Sequence, residues 1–199
     1  MDVHFPAGTT TTCSTLDWLV YTGELEVEGG TFIANDLADN GLYGNYYITS
    51  AGGLMELHQD GVQYVDINGR IVISNGTLNV YGGNGNSYWP YAANGALWMY
   101  GGVLDFKDVG ITVYNSGTYT FDDQITAGTI RTSGGFIGYR SDFTPTAGFF
   151  EFYGTGDNYI YEFNGCTLYN VSINKGAKEG EISGESGPEI GRASCRERV

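Results

Sequence analysis

The sequence predicts an all-β chain wound as a parallel β-helix, a β-solenoid of about six coils cut from a longer array. Three observations lead there. Composition is the first: among 199 residues there are 32 Gly, 16 Tyr and 10 Phe, and only 16% are charged, against about 25% in an average globular domain. Tyr, Thr, Ile, Val and Phe recur between Gly and Asn, which is strand-and-turn chemistry, and no long stretch repeats apolar residues at helical spacing. The aromatic content is too high for a disordered chain. The second observation is a five-residue unit, Gly-x-apolar-x-apolar, which starts at Gly30, Gly53, Gly76, Gly102, Gly128 and Gly148, at spacings of 23, 23, 26, 26 and 20 residues. Only Thr132 breaks its apolar rule. The third is a second strand ahead of the unit at a fixed offset: Leu25 and Val27 precede Phe32 and Ala34, Ile71 and Ile73 precede Leu78 and Val80, and Leu97 and Met99 precede Leu104 and Phe106.

Taken in order, residues 1–22 form a lead-in. Met1-Asp2-Val3-His4-Phe5 has no basic region followed by an apolar run, so no signal peptide is read there, and no segment reaches the length of a membrane span. Residues 23–178 are the solenoid. In each coil, alternation puts the apolar residues above on one face and Glu24, Glu26, Asn79, Trp98 and Asp105 on the other. The glycine suits the bend because it accepts a positive φ without strain. Spacing differences are absorbed by loops such as Gly82-Gly83-Asn84-Gly85-Asn86-Ser87. An antiparallel β-sandwich also has many short strands, but it has no reason to repeat one unit at near-constant period. Neither end reads as a cap over the open strand edges.

Residues 179–189 are expected to be a flexible tail. Residues 190–199, Ile190 to Val199, match in frame the translation of a common short-read sequencing adapter. Four of these ten residues are charged, and Arg192, Arg196 and Arg198 contrast with six Lys and Arg in all of residues 1–188. The tail is therefore set aside as non-native, and the protein is expected to be longer than this chain.

The net charge of -14 is scattered, which suits a soluble extracellular surface and argues against a nucleic-acid partner. Cys13, Cys166 and Cys195 show no metal-like spacing, so zinc is not expected and no metal or cofactor site is assigned, while Cys13 and Cys166 could bridge only if folding brought them together.

Several phrases of the chain resemble repeat regions of very large secreted proteins of Bacteroidota-type bacteria, exported by a type IX secretion system. The resemblance spans about residues 20–178. It is carried by Gly29-Gly30-Thr31-Phe32, Leu42-Tyr43-Gly44, Gln63-Tyr64-Val65-Asp66-Ile67-Asn68-Gly69 and Ser87-Tyr88-Trp89-Pro90-Tyr91. It continues in Gly128-Thr129-Ile130-Arg131-Thr132-Ser133-Gly134-Gly135-Phe136, Asp142-Phe143-Thr144-Pro145-Thr146, Glu151-Phe152-Tyr153-Gly154 and Leu168-Tyr169-Asn170-Val171-Ser172-Ile173-Asn174-Lys175. The resemblance implies a right-handed β-helix and a secreted or cell-surface location. It implies no reaction, so no catalytic residue is carried over.

Glycan-cleaving enzymes built on β-helices need clustered carboxylates together with a base or a metal. Asp122-Asp123 is the one adjacent carboxylate pair, but neighbours on a strand point to opposite faces. Asp105 and Asp108 flank Lys107, with Arg131 and Arg140 as the nearest other bases; a solvated face is the favoured reading of this set. Gly154-Thr155-Gly156-Asp157-Asn158-Tyr159-Ile160 resembles a single copy of a calcium-binding nonapeptide and reads better as a turn. His4 and His58 are isolated in the sequence, and no nucleophile elbow is present. The aromatic residues Tyr88, Trp89, Tyr91, Trp98 and Tyr100 are the candidate glycan contacts, since exposed rings stack on sugars. Packing over an edge of the stack is the favoured alternative for them. The expected function is a non-enzymatic structural or adhesive segment outside the cell, with extracellular glycans or cell-surface components and the rest of its own chain as partners. The runner-up is a carbohydrate-binding or polysaccharide-degrading β-helix.

Overall fold

The structure is a computed structural model that describes residues 2–16, 24–36, 41–42, 45–48, 52–59, 66–67, 70–82, 86–89, 96–107, 110–113, 122–155, 159–162, 168–175, 181–184 and 193–195. Among them there is no helix, and every strand pairing is parallel. Parallel pairing excludes the antiparallel sandwich and makes the chain a β-solenoid.

Three ladders run along the stack. The first contains β1 (Asp2–Phe5), β3 (Glu24–Val27), β6 (Asn45–Ile48), β9 (Arg70–Ile73) and the leading halves of β12 (Ala96–Phe106) and β14 (Asp122–Thr132). The second contains β2 (Thr10–Cys13), β4 (Thr31–Ala34), β7 (Leu54–Gln59), β10 (Thr77–Gly82), the trailing halves of β12 and β14, then β16 (Phe149–Gly154), β18 (Val171–Lys175) and β20 (Ala193–Cys195). The third runs through β11 (Asn86–Trp89), β13 (Gly110–Val113), β15 (Phe136–Gly138), β17 (Tyr159–Glu162) and β19 (Glu181–Gly184). In the corresponding part of earlier coils, β5 (Gly41–Leu42) pairs with β8 (Asp66–Ile67).

The six sequence units lie side by side in the second ladder without a slip. Phe32 pairs with Met55, Met55 with Leu78, Leu78 with Leu104, Leu104 with Ile130 and Ile130 with Phe150. A one-residue slip would turn every apolar side chain outward, so burial of this face fixes the register. These residues meet Leu25, Val27, Ile71, Ile73, Leu97 and Met99 of the first ladder in one core. Each such side chain contributes roughly 1.5–3 kcal/mol by leaving water.

The ladders extend past both boundaries read from the sequence. β1 and β2, in the lead-in, pair with β3 and β4, although Thr9 replaces the unit's glycine there and Thr11 stands opposite Phe32. At the other end, β19 falls within residues 179–189 and pairs with β17, while β20 falls within the adapter-like tail and pairs with β18. Main-chain pairing at an open parallel edge asks little of side chains, which is why composition did not mark these strands.

One coil departs from the pattern. The short 20-residue spacing from Gly128 to Gly148 leaves no room for a first-ladder strand, and among the described residues that ladder ends at β14. The segment 139–148 crosses its edge instead, with the Ala147 N–H donating to the Ile125 carbonyl at 3.1 Å. Phe143 from this segment is fully buried and meets Phe150 edge-on at 5.9 Å between ring centroids.

Candidate functional site

The outward residues of the second ladder stack as regularly as the inward ones. Glu56, Asn79, Asp105, Arg131 and Glu151 occupy one register position on successive coils. Tyr81 and Tyr153 lie two residues further along their strands, as do Lys107 and Ser133 just past theirs. At this density, side chains that point away from the core bury one another.

Asp105 is the centre. Its Oδ2 accepts from Lys107 Nζ at 2.7 Å and Arg131 Nη1 at 3.2 Å, and its Oδ1 accepts from the Tyr153 hydroxyl at 2.7 Å. Arg131 Nε donates to Glu151 Oε2 at 2.6 Å, and its guanidinium lies 4.6 Å from the centre of the Tyr153 ring. Asn174 Nδ2 donates to the other Glu151 oxygen at 3.2 Å. Two coils earlier, Glu56 Oε1 accepts from Asn79 Nδ2 at 3.1 Å and from the Tyr81 hydroxyl at 3.3 Å, and the Tyr81 ring stacks on His58 at 4.3 Å. Asp105 is 1% exposed, whereas Lys107 and Arg131 each keep about a third of their side chains in solvent.

Asp105, Lys107 and Arg131, proposed from the sequence as one candidate set, are therefore brought together. Asp108 lies outside the described residues. Arg140 goes elsewhere: it is buried beyond β15 and donates from Nε to Asp142 Oδ1 at 2.6 Å. Tyr153 and Glu151 complete the cluster from more than forty residues downstream of Asp105. The sequence signal for them was that Glu151 stands in the sixth unit and Tyr153 directly follows it.

The five aromatic candidates do not converge on one sheet. Trp98 and Tyr100 sit on β12, where Trp98 packs under the Arg70 guanidinium at 4.2 Å and the Tyr100 hydroxyl donates to Gln124 Oε1 at 3.2 Å. Tyr88 and Trp89 belong to β11 in the third ladder, and their side chains lie outside what is described. Tyr91 lies outside the described residues altogether.

His4 and His58, isolated in the sequence, both gain neighbours. His4 lies 3.1 Å from Glu26 and 3.0 Å from Glu28, and His58 lies against Tyr81. Among the described residues, no group of three or more His, Cys, Asp or Glu side chains could hold a metal ion. Asp123 Oδ1 accepts from the Thr144 N–H at 3.3 Å; the side chain of Asp122 is not described. Cys13 is a free thiol, and burial raises its pKa against the lowering effect of a backbone hydrogen bond. Cys166 lies outside the described residues, as do residues 156–158 of the nonapeptide-like segment, whose Gly154 has φ +88° at the end of β16. No helix among the described residues is long and apolar enough to cross a membrane.

Comparisons with known proteins add no identity: no protein-family model, no curated protein and no solved structure matches this chain.

Proposed function

We propose that the chain is a non-enzymatic structural and adhesive segment of a large secreted or cell-surface bacterial β-helix protein, of the type IX-exported kind its phrases resemble. The observation that carries this reading is the closed network on the outer face. Asp105 is covered, and both cations beside it are engaged by carboxylates. A general acid or base must be free to exchange a proton with substrate. These groups instead tie one coil to the next, as a strut requires. Coils stacked at strand spacing lengthen such a rod by about 4.8 Å each. Its partners on this reading are extracellular glycans or cell-surface components, together with the rest of its own longer chain.

Sequencing the gene beyond both ends of this segment tests the proposal. A secretion leader, further coils and a C-terminal sorting domain are the expected result. A reading frame that starts at Met1 and stops just after Pro188 would overturn it.

A carbohydrate-active β-helix is the second reading, and one observation favours it: Asp105, Lys107, Arg131 and Tyr153 share one cluster. Incubation with neutral and uronate-containing polysaccharides is expected to release no product. Release that is abolished by Lys107→Ala would install the second reading in place of the first.

A further inference from the structure

Three large hydrophobic side chains are exposed among the described residues: Tyr100 at 45%, Phe149 at 54% and Tyr169 at 44%. All three fall at one corner of the coil, the leading edge of the second ladder. Tyr100 immediately precedes Gly101-Gly102, Phe149 immediately follows Gly148, and Tyr169 stands two residues before Val171, the partner of Phe150. Two coils lie between Tyr100 and Tyr169: in the first the exposed corner residue is the small Thr126, and in the second Thr146 stands beside Phe149. Thr126 and Thr146 lie back on the coil before each of them, their hydroxyls donating to the carbonyls of Met99 and Ile125, both at 3.4 Å. Ala127, Gly128 and Ala147 are partly exposed beside them, and Gly148 is buried beneath. The corner is thus a shallow strip of Thr, Ala and Gly with Tyr100 at one end and Phe149 and Tyr169, on neighbouring coils, at the other. Tyr100 and Tyr169 stand three coil spacings apart, about 14 Å.

The segments that form this corner, 100–102, 126–129, 146–149 and 169–170, contain no charged residue, in a chain whose net charge is -14. A polyanion would find no cation there to offset the surrounding negative charge. A stable protein partner would need about 800 Å² on this side, more than a strip of this length offers. A neutral sugar polymer has the matching chemistry. Its C–H faces stack on rings, and its hydroxyls meet Thr, Gln and Asn side chains. The Tyr100–Gln124 hydrogen bond holds one ring in place beforehand, which lowers the ordering cost of binding.

We infer that this corner binds a neutral polysaccharide laid along the solenoid axis, bridging Tyr100 to Phe149 and Tyr169. The inference rests on the adhesive half of the proposed function and names its ligand class.

Affinity electrophoresis of the whole chain tests it, in gels containing a neutral β-glucan, xylan or galactomannan, or acidic polygalacturonate. At least one neutral polymer is expected to retard the protein, and polygalacturonate less. Tyr100→Ala and Tyr169→Ala are each expected to weaken retardation about tenfold, a loss typical of one stacked ring, with the thermal midpoint unchanged because both side chains are exposed. Thr126→Glu, which puts a charge on the strip and keeps every ring, is expected to abolish retardation; it decides the matter with Tyr169→Ala if Tyr100→Ala does not fold. Three results overturn the inference: no retardation by any neutral polymer, stronger retardation by polygalacturonate, or folded variants that bind like the parent. Such failure removes the ligand and leaves the structural segment standing, since the leader and sorting domain are tested separately.

Discussion

Asp105 is a charged residue on the outside of a sheet that is nonetheless out of water. A carboxylate so covered is costly unless each oxygen is satisfied, and here Lys107, Arg131 and Tyr153 satisfy them. Removing it takes a partner from Lys107, Arg131 and the Tyr153 hydroxyl at once, although Arg131 keeps Glu151. Because both cations keep partial access to solvent, the cost is smaller than for a deeply buried pair. Asp105→Ala is expected to destabilise the fold by about 1–3 kcal/mol, and Asp105→Asn by less, measured by urea unfolding. Thr132, the exception to the apolar rule, has a comparable local reason. Its side chain is buried, and its hydroxyl accepts the Gly134 N–H at 3.0 Å where the chain turns toward β15. The sequence marks both residues as unusual, but their partners lie on other coils or around the next turn.

The elements separate two tasks that a glycine doublet hides. Gly52 adopts φ +87° with open space where a side chain would go, whereas a Cβ on Gly53 would lie 2.4 Å from the Val27 carbonyl oxygen. The first is needed for conformation and the second for close approach of one coil to the one before. Gly52→Ala is therefore expected to cost about 1 kcal/mol. Gly53→Ala must displace backbone and is expected to cost several times as much, a difference readable by thermal unfolding of the two variants side by side. The sequence alone predicts a bend residue at every glycine of the unit. That holds at Gly76, Gly102, Gly128 and Gly148, which have positive φ, while Gly30 and Gly53 serve packing. The strandless segment 139–148 makes a second contrast. Its Phe143 fills the core where a first-ladder strand is missing, so Phe143→Ala is expected to cost about 3–5 kcal/mol, as much as a residue of any strand.

At the scale of the molecule, each coil touches chiefly its neighbours, so stability is close to a sum over coils and their interfaces. Thr77, Val103 and Thr129 share one register position. Deleting residues 103–128 would therefore join Gly102 to Thr129 and set Arg131 beside Asn79, removing Asp105 and Lys107 together. The shortened chain is expected to fold cooperatively, with a lower thermal midpoint and a smaller urea slope, because less surface is exposed on unfolding. Collapse of the β-sheet circular dichroism signal in this variant would contradict the additive picture.

The sequence by itself determined the solenoid, the inward residues and their register, because a repeated unit can bury its apolar face only by stacking like on like. It also placed Asp105, Lys107 and Arg131 near one another as candidates, and Trp98 and Tyr100 on an outer face. Tertiary structure alone decided what those outward residues do. Side chains 20 to 48 residues apart become neighbours only when coils pair, and pairing turns charges that read as solvated into a closed network. It alone gathered Tyr100, Phe149 and Tyr169 at one corner, because the three stand at different offsets from the repeated unit and become neighbours only when coils stack.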